Sequence, residues 1–192
     1  MLLNNKKNQF FDRAAPAGRK ITTLGPTGTS SYLAAVHFAQ LYPSDVLFFP
    51  SYEDAADAVR SSPRDSALIV ANAYAQINRF YISHELEPIG AFFKDTPAYV
   101  IASLKESALD GPKVTIASHR APQHLIAELA ALPNVTILDA GSTHYAAEMV
   151  ARGDCEACLT TQTAADICGL TTIKVVFSKI PMLWTLFTSK EH

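Results

Sequence analysis

The stretch Gly25-Pro26-Thr27-Gly28-Thr29-Ser30-Ser31 holds two glycines and four hydroxyl side chains between a β-type run, Ile21 to Leu24, and a helix-like segment, Ser30 to about Leu41. A strand, a glycine turn and a helix start aim several backbone N–H groups at one point, and the helix dipole favours negative charge there. The spacing fits neither the Gly-Lys-Ser/Thr phosphate loop nor the Gly-x-Gly-x-x-Gly dinucleotide fingerprint. A carboxylate is therefore the indicated anion, with Thr29 and Ser31 as candidate ligands. The plainer alternative is that the glycines only make a turn and the hydroxyls only cap the helix. His119 titrates in the useful range and is the first candidate for a proton donor; the alternative is a histidine that caps a turn at a strand end. Cys155-Glu156-Ala157-Cys158 has neither a second pair nor a spaced His pair after it, which argues against zinc. His37, His84, His124 and His144 lack metal spacing, and no cofactor motif appears, so neither metal nor cofactor is expected.

Alternating strand and helix patterns must position these residues. After the first helix come a strand at Val46-Leu47-Phe48-Phe49, a helix from Tyr52 to Arg60 and a continuous apolar strand, Ala67 to Ala71. Glu53, Asp54 and Asp57 lie early in that helix, where carboxylates suit the dipole. Asn72 to Tyr81 reads as a helix or turn rich in aromatics, followed by strands at Ile89–Phe93 and Ala98–Ala102. The pattern then restarts: strand Val114–Ala117, helix Pro122–Leu132, strand Val135–Leu138, helix Ser142–Arg152 and strand Ala157–Thr160. A short helix, Ala164 to Cys168, closes at Gly169, and strands at Thr171–Phe177 and Leu183–Thr188 end the chain. Strands alternating with helices argue for parallel sheets, and the repeated succession on either side of Pro97 gives two similar α/β lobes.

Composition narrows the function classes. Of 192 residues, 48% are apolar and 18% charged, which describes a globular protein with a substantial core. A net charge of −2 offers no basic footprint for nucleic acid. No uncharged apolar run reaches the roughly 18 residues that span a bilayer, and the N-terminus lacks the apolar block of a signal peptide. Three cysteines make an odd count, pointing to a reducing cytoplasm and not a disulfide framework.

Several segments resemble the catalytic region of prephenate dehydratases. Leu24-Gly25-Pro26-Thr27-Gly28-Thr29-Ser30-Ser31 is similar to that family's Gly-Pro-x-Gly-Thr-x-Ser opening, Ala117-Ser118-His119 to its Ser-His-Pro segment, and Gly141-Ser142-Thr143 to its Ser-Thr-Ala helix start. The resemblance, from about Ile21 to Phe187, implies an α/β fold of two lobes like type II periplasmic binding proteins. Residues 19–97 and 167–192 would form lobe 1, residues 98–166 lobe 2, and residues 1–18 a flexible leader, with no ACT regulatory domain. The departures are informative. Asn72-Ala73-Tyr74-Ala75 stands where dehydratases carry Glu-Asn-Ser, Leu125 where they carry Gln, and Met182-Leu183-Trp184 where they carry Thr-Arg-Phe. These substitutions, with Lys94-Asp95-Thr96-Pro97-Ala98-Tyr99 and the tail Phe177 to Phe187, resemble the prephenate decarboxylase branch of bacilysin biosynthesis and similar antibiotic pathways. Against that branch, Asn72 replaces a His and Arg120 replaces the Pro after Ser-His.

The resemblance implies a cofactor-independent, non-aromatising decarboxylation of prephenate by a cytoplasmic homodimer. Prephenate carries a ring carboxylate, a pyruvyl side chain and a 4-hydroxyl on a cyclohexadiene. A site stripped of the dehydrating residues and lined by Met182, Leu125 and Trp184 suits loss of carbon dioxide with the hydroxyl left in place. Thr29, Ser31, Asn72, Ser118, Ser142, Thr143, Met182 and Trp184 would contact substrate. His119, Tyr74 and Arg79 would be catalytic, Tyr74 as donor or orienter and Arg79 as carboxylate partner. For Tyr74 and Trp184 the alternative is packing, in an aromatic cluster with Phe80 and Tyr81 and in plain core. Two other functions stay open: an enzyme acting on another small cyclic carboxylate, as in a tropone-type pathway, or a non-catalytic carboxylate-binding protein.

Overall fold

The computed structural model describes residues 2–3, 9–11 and 18–190. Among them the elements run β1 (Leu2–Leu3), β2 (Gln9–Phe11), β3 (Lys20–Leu24), α1 (Ser30–Leu41), β4 (Val46–Phe49), α2 (Tyr52–Ser61), β5 (Ser66–Ala71), α3 (Asn78–Tyr81), β6 (Leu86–Phe93) and β7 (Tyr99–Ser103). They continue with β8 (Val114–Ser118), α4 (Ala127–Ala130), β9 (Val135–Asp139), α5 (Thr143–Arg152), β10 (Ala157–Thr161), α6 (Gln162–Ile167), β11 (Thr171–Phe177) and β12 (Leu183–Ser189). The chain divides into two units, one ending at Thr96 and resuming at Pro181, the other Pro97–Ile180.

In the first unit β3 lies parallel between β4 and β5. The returning β12 runs antiparallel to β5 and β6, and β2 adds to β6 with Gln9 opposite Phe92. Successive side chains of a strand face opposite ways, so β5 feeds two cores. Ile69 joins Ala34, Ala35 and Phe38 of α1 with Phe92 and Trp184. Leu68 and Val70 join Tyr52, Ala55, Ala56 and Val59 of α2 with Phe187. Burial on both faces explains why this strand reads as an unbroken apolar run. Ser51 caps α2, whose first turn carries Glu53 and Asp54 and whose last turn carries Arg60.

The second unit repeats the plan. β8 lies parallel between β9 and β10, β7 runs antiparallel to β10, and β11 pairs with β7 through two register shifts. Ala146, Ala147 and Val150 of α5 pack with Val100, Ala102, Ala117 and Cys158 on one face. Ile101, Ile116 and Leu159 face the other way, with Ile126 and the half-buried Leu125.

Three expectations need correction. The resemblance places residues 167–192 in lobe 1, but β11 takes its backbone partners from β7, so residues 167–180 belong to the second unit, which the chain leaves only at Pro181. Within the expected leader, β1 pairs with β2 and β2 with β6; the rest of residues 1–17 lies outside the described residues. The helix expected over Pro122–Leu132 breaks into a 3-10 turn, Gln123–Ile126, and the single turn α4, neither with a side-chain cap. A helix this short has little intrinsic stability, and packing of Leu125, Ile126 and Leu129 on the sheet dictates its path.

Gly25 sits where β3 passes β4, and a Cβ there would meet Phe48 Cβ at 2.9 Å. Gly25→Ala is expected to cost about 1–3 kcal/mol by overpacking, read as a lower urea midpoint; an unchanged midpoint would show that the β4 edge yields freely.

Candidate active site

The first unit uses most of its expected ligands internally. Thr29 is the N-cap of α1: its Oγ1 accepts from Tyr32 N at 3.1 Å and donates to Pro26 O at 2.9 Å. Ser31 Oγ lies 2.7 Å from the Tyr52 hydroxyl, which also accepts from Ala71 N at 3.3 Å, so this buried pair ties α1, α2 and β5 together. The capping alternative thus describes Thr29, and Ser31 is a structural link. Asn72 belongs to a closed ring: its Nδ2 donates to Tyr81 at 3.3 Å, Thr185 Oγ1 donates to Asn72 Oδ1 at 2.8 Å, and Tyr81 and Thr185 oxygens lie 2.8 Å apart.

Trp184 is 1% exposed in the core with Ile69, Phe92 and Leu186, and its Nε1 donates to Lys94 O at 3.0 Å. Met182 is half-buried against that same core. Of the expected lining residues, Trp184 is core in the first unit, and Leu125 packs within the second.

Tyr74 and Arg79 come together around Glu53, a carboxylate in the first turn of α2. The Tyr74 hydroxyl donates to Glu53 at 2.9 and 3.1 Å, and Arg79 Nη1 lies 3.7 Å from Glu53 Oε1. The Tyr74 ring packs against Tyr52 at 4.8 Å and Phe80 at 6.3 Å. Burial, then the bond to Glu53 and its charge, push the Tyr74 phenol up to about 12. Its proton is held, and it points at a carboxylate of the protein. The sequence marks Glu53 only as a carboxylate that suits the helix dipole.

In the second unit the parallel strands β8 and β9 end beside each other, Ser118 opposite Asp139, and the Ala140 amide donates to Ser118 O at 3.0 Å. A cavity of about 230 Å³ opens there, lined by His119, Arg120, Asp139, Ala140 and Gly141. Strand C-termini are the usual place for ligands in open parallel sheets. Ser118 is fully buried, its hydroxyl donating to His119 O at 3.0 Å, so it supports the wall. Ser142 caps α5, accepting from Tyr145 N at 3.0 Å, and Thr143 opens that helix beside the cavity, its carbonyl accepting from Thr160. His119 Nδ1 accepts from Ala121 N at 3.3 Å, which keeps the turn-capping alternative alongside its place in the cavity.

Arg120 Nε donates to Asp139 Oδ2 at 2.8 Å, with side chains 82% and 53% exposed; a pair this wet is worth about 0–1 kcal/mol. In the sequence Arg120 is marked only as a replacement for proline, and no local signal marks Asp139. The cysteines lie apart from this chemistry, unpaired and within the core cluster of the second unit. Burial raises all three thiols, which keeps them protonated and unreactive. Among the described residues no group of three or more His, Cys, Asp or Glu could hold a metal ion, and no helix is long and apolar enough to cross a membrane.

Two α/β units built on the same strand plan define a fold shared with prephenate dehydratases and with substrate-binding proteins of the periplasmic type. Prephenate dehydratase from Arthrobacter aurescens, solved with L-Phe, matches with a TM-score of 0.71 at 18% identity over 90% of this chain, which spans 61% of that one. A putative methionine-binding lipoprotein from Bacillus subtilis matches with a TM-score of 0.59 at 14% identity, over 90% of this chain and 83% of that one. No family model matches the sequence. Among curated proteins, a prephenate decarboxylase from Bacillus subtilis (strain 168) is 33% identical over 87% of this chain and 85% of its own. One from Bacillus amyloliquefaciens is 34% identical over 100% and 98%, and one from Planktothrix agardhii 30% over 88% of each. The chain belongs to the prephenate decarboxylase family.

Two imidazoles are held below their ordinary range. His119 is lowered by burial, with Asp139 pulling it back up and Arg120 adding to the depression. His37 is lowered by burial and by Lys94. The unfolded chain therefore binds these protons more tightly than the folded one, so stability is full above the ordinary imidazole value and falls as the pH drops through it. Urea unfolding from about pH 8 to about pH 5 should show this loss, and His119→Gln and His37→Gln should each make the slope shallower; identical slopes would place both rings in water.

Proposed function

We propose that the protein is a carboxy-lyase that removes carbon dioxide from prephenate and leaves the ring hydroxyl in place. The observation that carries this reading is 30–34% identity over most of the chain with four prephenate decarboxylases. As the bond to the ring carboxylate breaks, its electron pair spreads through the diene and comes to rest on a ring carbon, which takes up a proton. The hydroxide never leaves, so the ring does not become aromatic. The electron count of the protein is unchanged and no cofactor enters the step.

On this reading the protein must hold two carboxylates, shield the breaking bond from water and supply one proton. His119 as the proton donor is supported by its half-buried position in the cavity of the second unit; burial lowers the ring, and Asp139 nearby offsets part of that loss. Tyr74 is the poorer donor, because its proton is given to Glu53; with Arg79 it serves better as an orienting group. The α5 start at Ser142 and Thr143 would face one carboxylate through backbone N–H groups and the helix dipole. The first-turn amides at Ser30 and Ser31 would act likewise in the first unit, the Thr29 amide and the Thr29 and Ser31 hydroxyls being used by the fold. Asn72 and Met182 are retained as contacts, and Trp184 supports them from the core. Secondary metabolism, a reducing cytoplasm and a homodimer belong to the same reading, supported by the tail resemblance and by the unpaired cysteines.

Fresh prephenate incubated with the protein should lose carbon dioxide and give a non-aromatic product that keeps its hydroxyl, identified by mass and ultraviolet spectrum. Cys155→Ala should turn over like the wild type. Phenylpyruvate would instead identify a dehydratase, and binding without turnover a carboxylate carrier.

A further inference from the structure

The Arg120–Asp139 pair lies on the wall of the cavity, beside His119, and is the only ion pair among the residues that line it. We propose that Arg120 is the arm that recognises a second carboxylate of the substrate, and that Asp139 is its resting counter-ion, displaced when that carboxylate arrives. The inference rests on the decarboxylase reading for the identity of the dianion. It makes Arg120 a specificity residue that selects dicarboxylates over monocarboxylates.

Asp139 engages only Nε, at 2.8 Å, and a guanidinium offers five donors in a planar fork that suits a carboxylate held by two parallel bonds. The pair is largely in water, so Asp139 restrains the arm weakly and a second carboxylate can compete. The surroundings leave room. Gly141 has nothing within 4 Å of where a Cβ would stand, and Ala140 supplies only a methyl group. The charges also balance at rest: one cation faces one anion, and His119, lowered by burial, adds none near neutral pH. An anion is therefore welcomed only if Arg120 turns from Asp139 to meet it.

That turn has a consequence for the neighbouring ring. Asp139 favours the imidazolium of His119 and Arg120 opposes it. Once Arg120 is neutralised by the ligand, the opposition is relieved and the Asp139 carboxylate is left facing the ring. Recognition of the second carboxylate thereby favours proton loading of the donor.

The test is prephenate binding by calorimetry, alongside steady-state turnover, for the wild type, Arg120→Gln, Arg120→Lys and Asp139→Asn. Arg120→Gln should weaken binding and raise KM by about tenfold or more, the usual weight of a charge-assisted pair, with melting temperature unchanged. Arg120→Lys should recover part of that loss. Asp139→Asn should do the opposite and tighten binding by about two- to fivefold, the scale of an exposed ion pair. A merely structural pair would make both changes weaken binding, and that result overturns the proposal, as does an Arg120→Gln affinity within about twofold of wild type. If the wild type binds prephenate without turning it over, the decarboxylase reading fails while opposite signs in the two variants still support the arm. A wild type that neither binds nor converts prephenate overturns both.

Discussion

A hydroxyl or indole N–H taken out of water must find a partner inside the protein, at a cost of about 1–3 kcal/mol if it does not. That constraint decides which polar residues at the strand ends remain for a ligand. Thr29 is taken by the first turn of α1, Ser31 by Tyr52, Ser118 by the carbonyl beside it, and Trp184 by Lys94 O. Each lies where a substrate contact was sought, and each is committed before any ligand arrives. The groups left to a ligand are those that water already satisfies, with Arg120 and Asp139 foremost, and His119 at the boundary.

The frame was legible because hydrophobic periodicity and turn residues are local signals. The unbroken run Ala67–Ala71 announced a strand covered on both faces, and Ile69 and Val70 do lie in different cores. Ser142 ahead of an amphipathic segment announced α5, which begins at the next residue and ends at Gly153 with φ of 82°. What was not legible depends on pairing across long separations. Nothing in Thr171–Phe177 states that its partner is Tyr99–Ser103 and not the strand that follows it, so the unit boundary was drawn too early. The Pro122–Leu132 segment has the composition of a helix, but only tertiary packing tells that its first turn is wound tighter than an α-helix.

The site was legible in position more than in role. Of the residues named at strand ends and helix starts, Ser118 pairs with Asp139 where β8 and β9 end, and His119 and Gly141 line one cavity. Residue type alone, however, cannot separate a serine that holds a ligand from one that holds a tyrosine. Glu53 shows the reverse error. As a first-turn carboxylate it needed no further explanation, yet both its oxygens accept from the Tyr74 hydroxyl and one lies in longer ionic contact with Arg79.

The two units share a strand plan and differ in what stands at the strand ends, and the difference follows from side-chain size and charge. In the first unit Tyr52 follows β4, and Tyr74, Phe80 and Tyr81 follow β5, and aromatic rings fill space and tie up their own hydroxyls. In the second unit the stretch where β9 ends is Asp139-Ala140-Gly141, with short side chains, faced by a histidine and an arginine. Filling by rings leaves stiff, satisfied groups that resist rearrangement; small residues with an exposed ion pair leave a volume and a charge that can be redirected. Chemistry that needs a proton delivered and a carboxylate grasped is better served by the second arrangement, because both its charged partners can change neighbours without leaving a buried group unpaired.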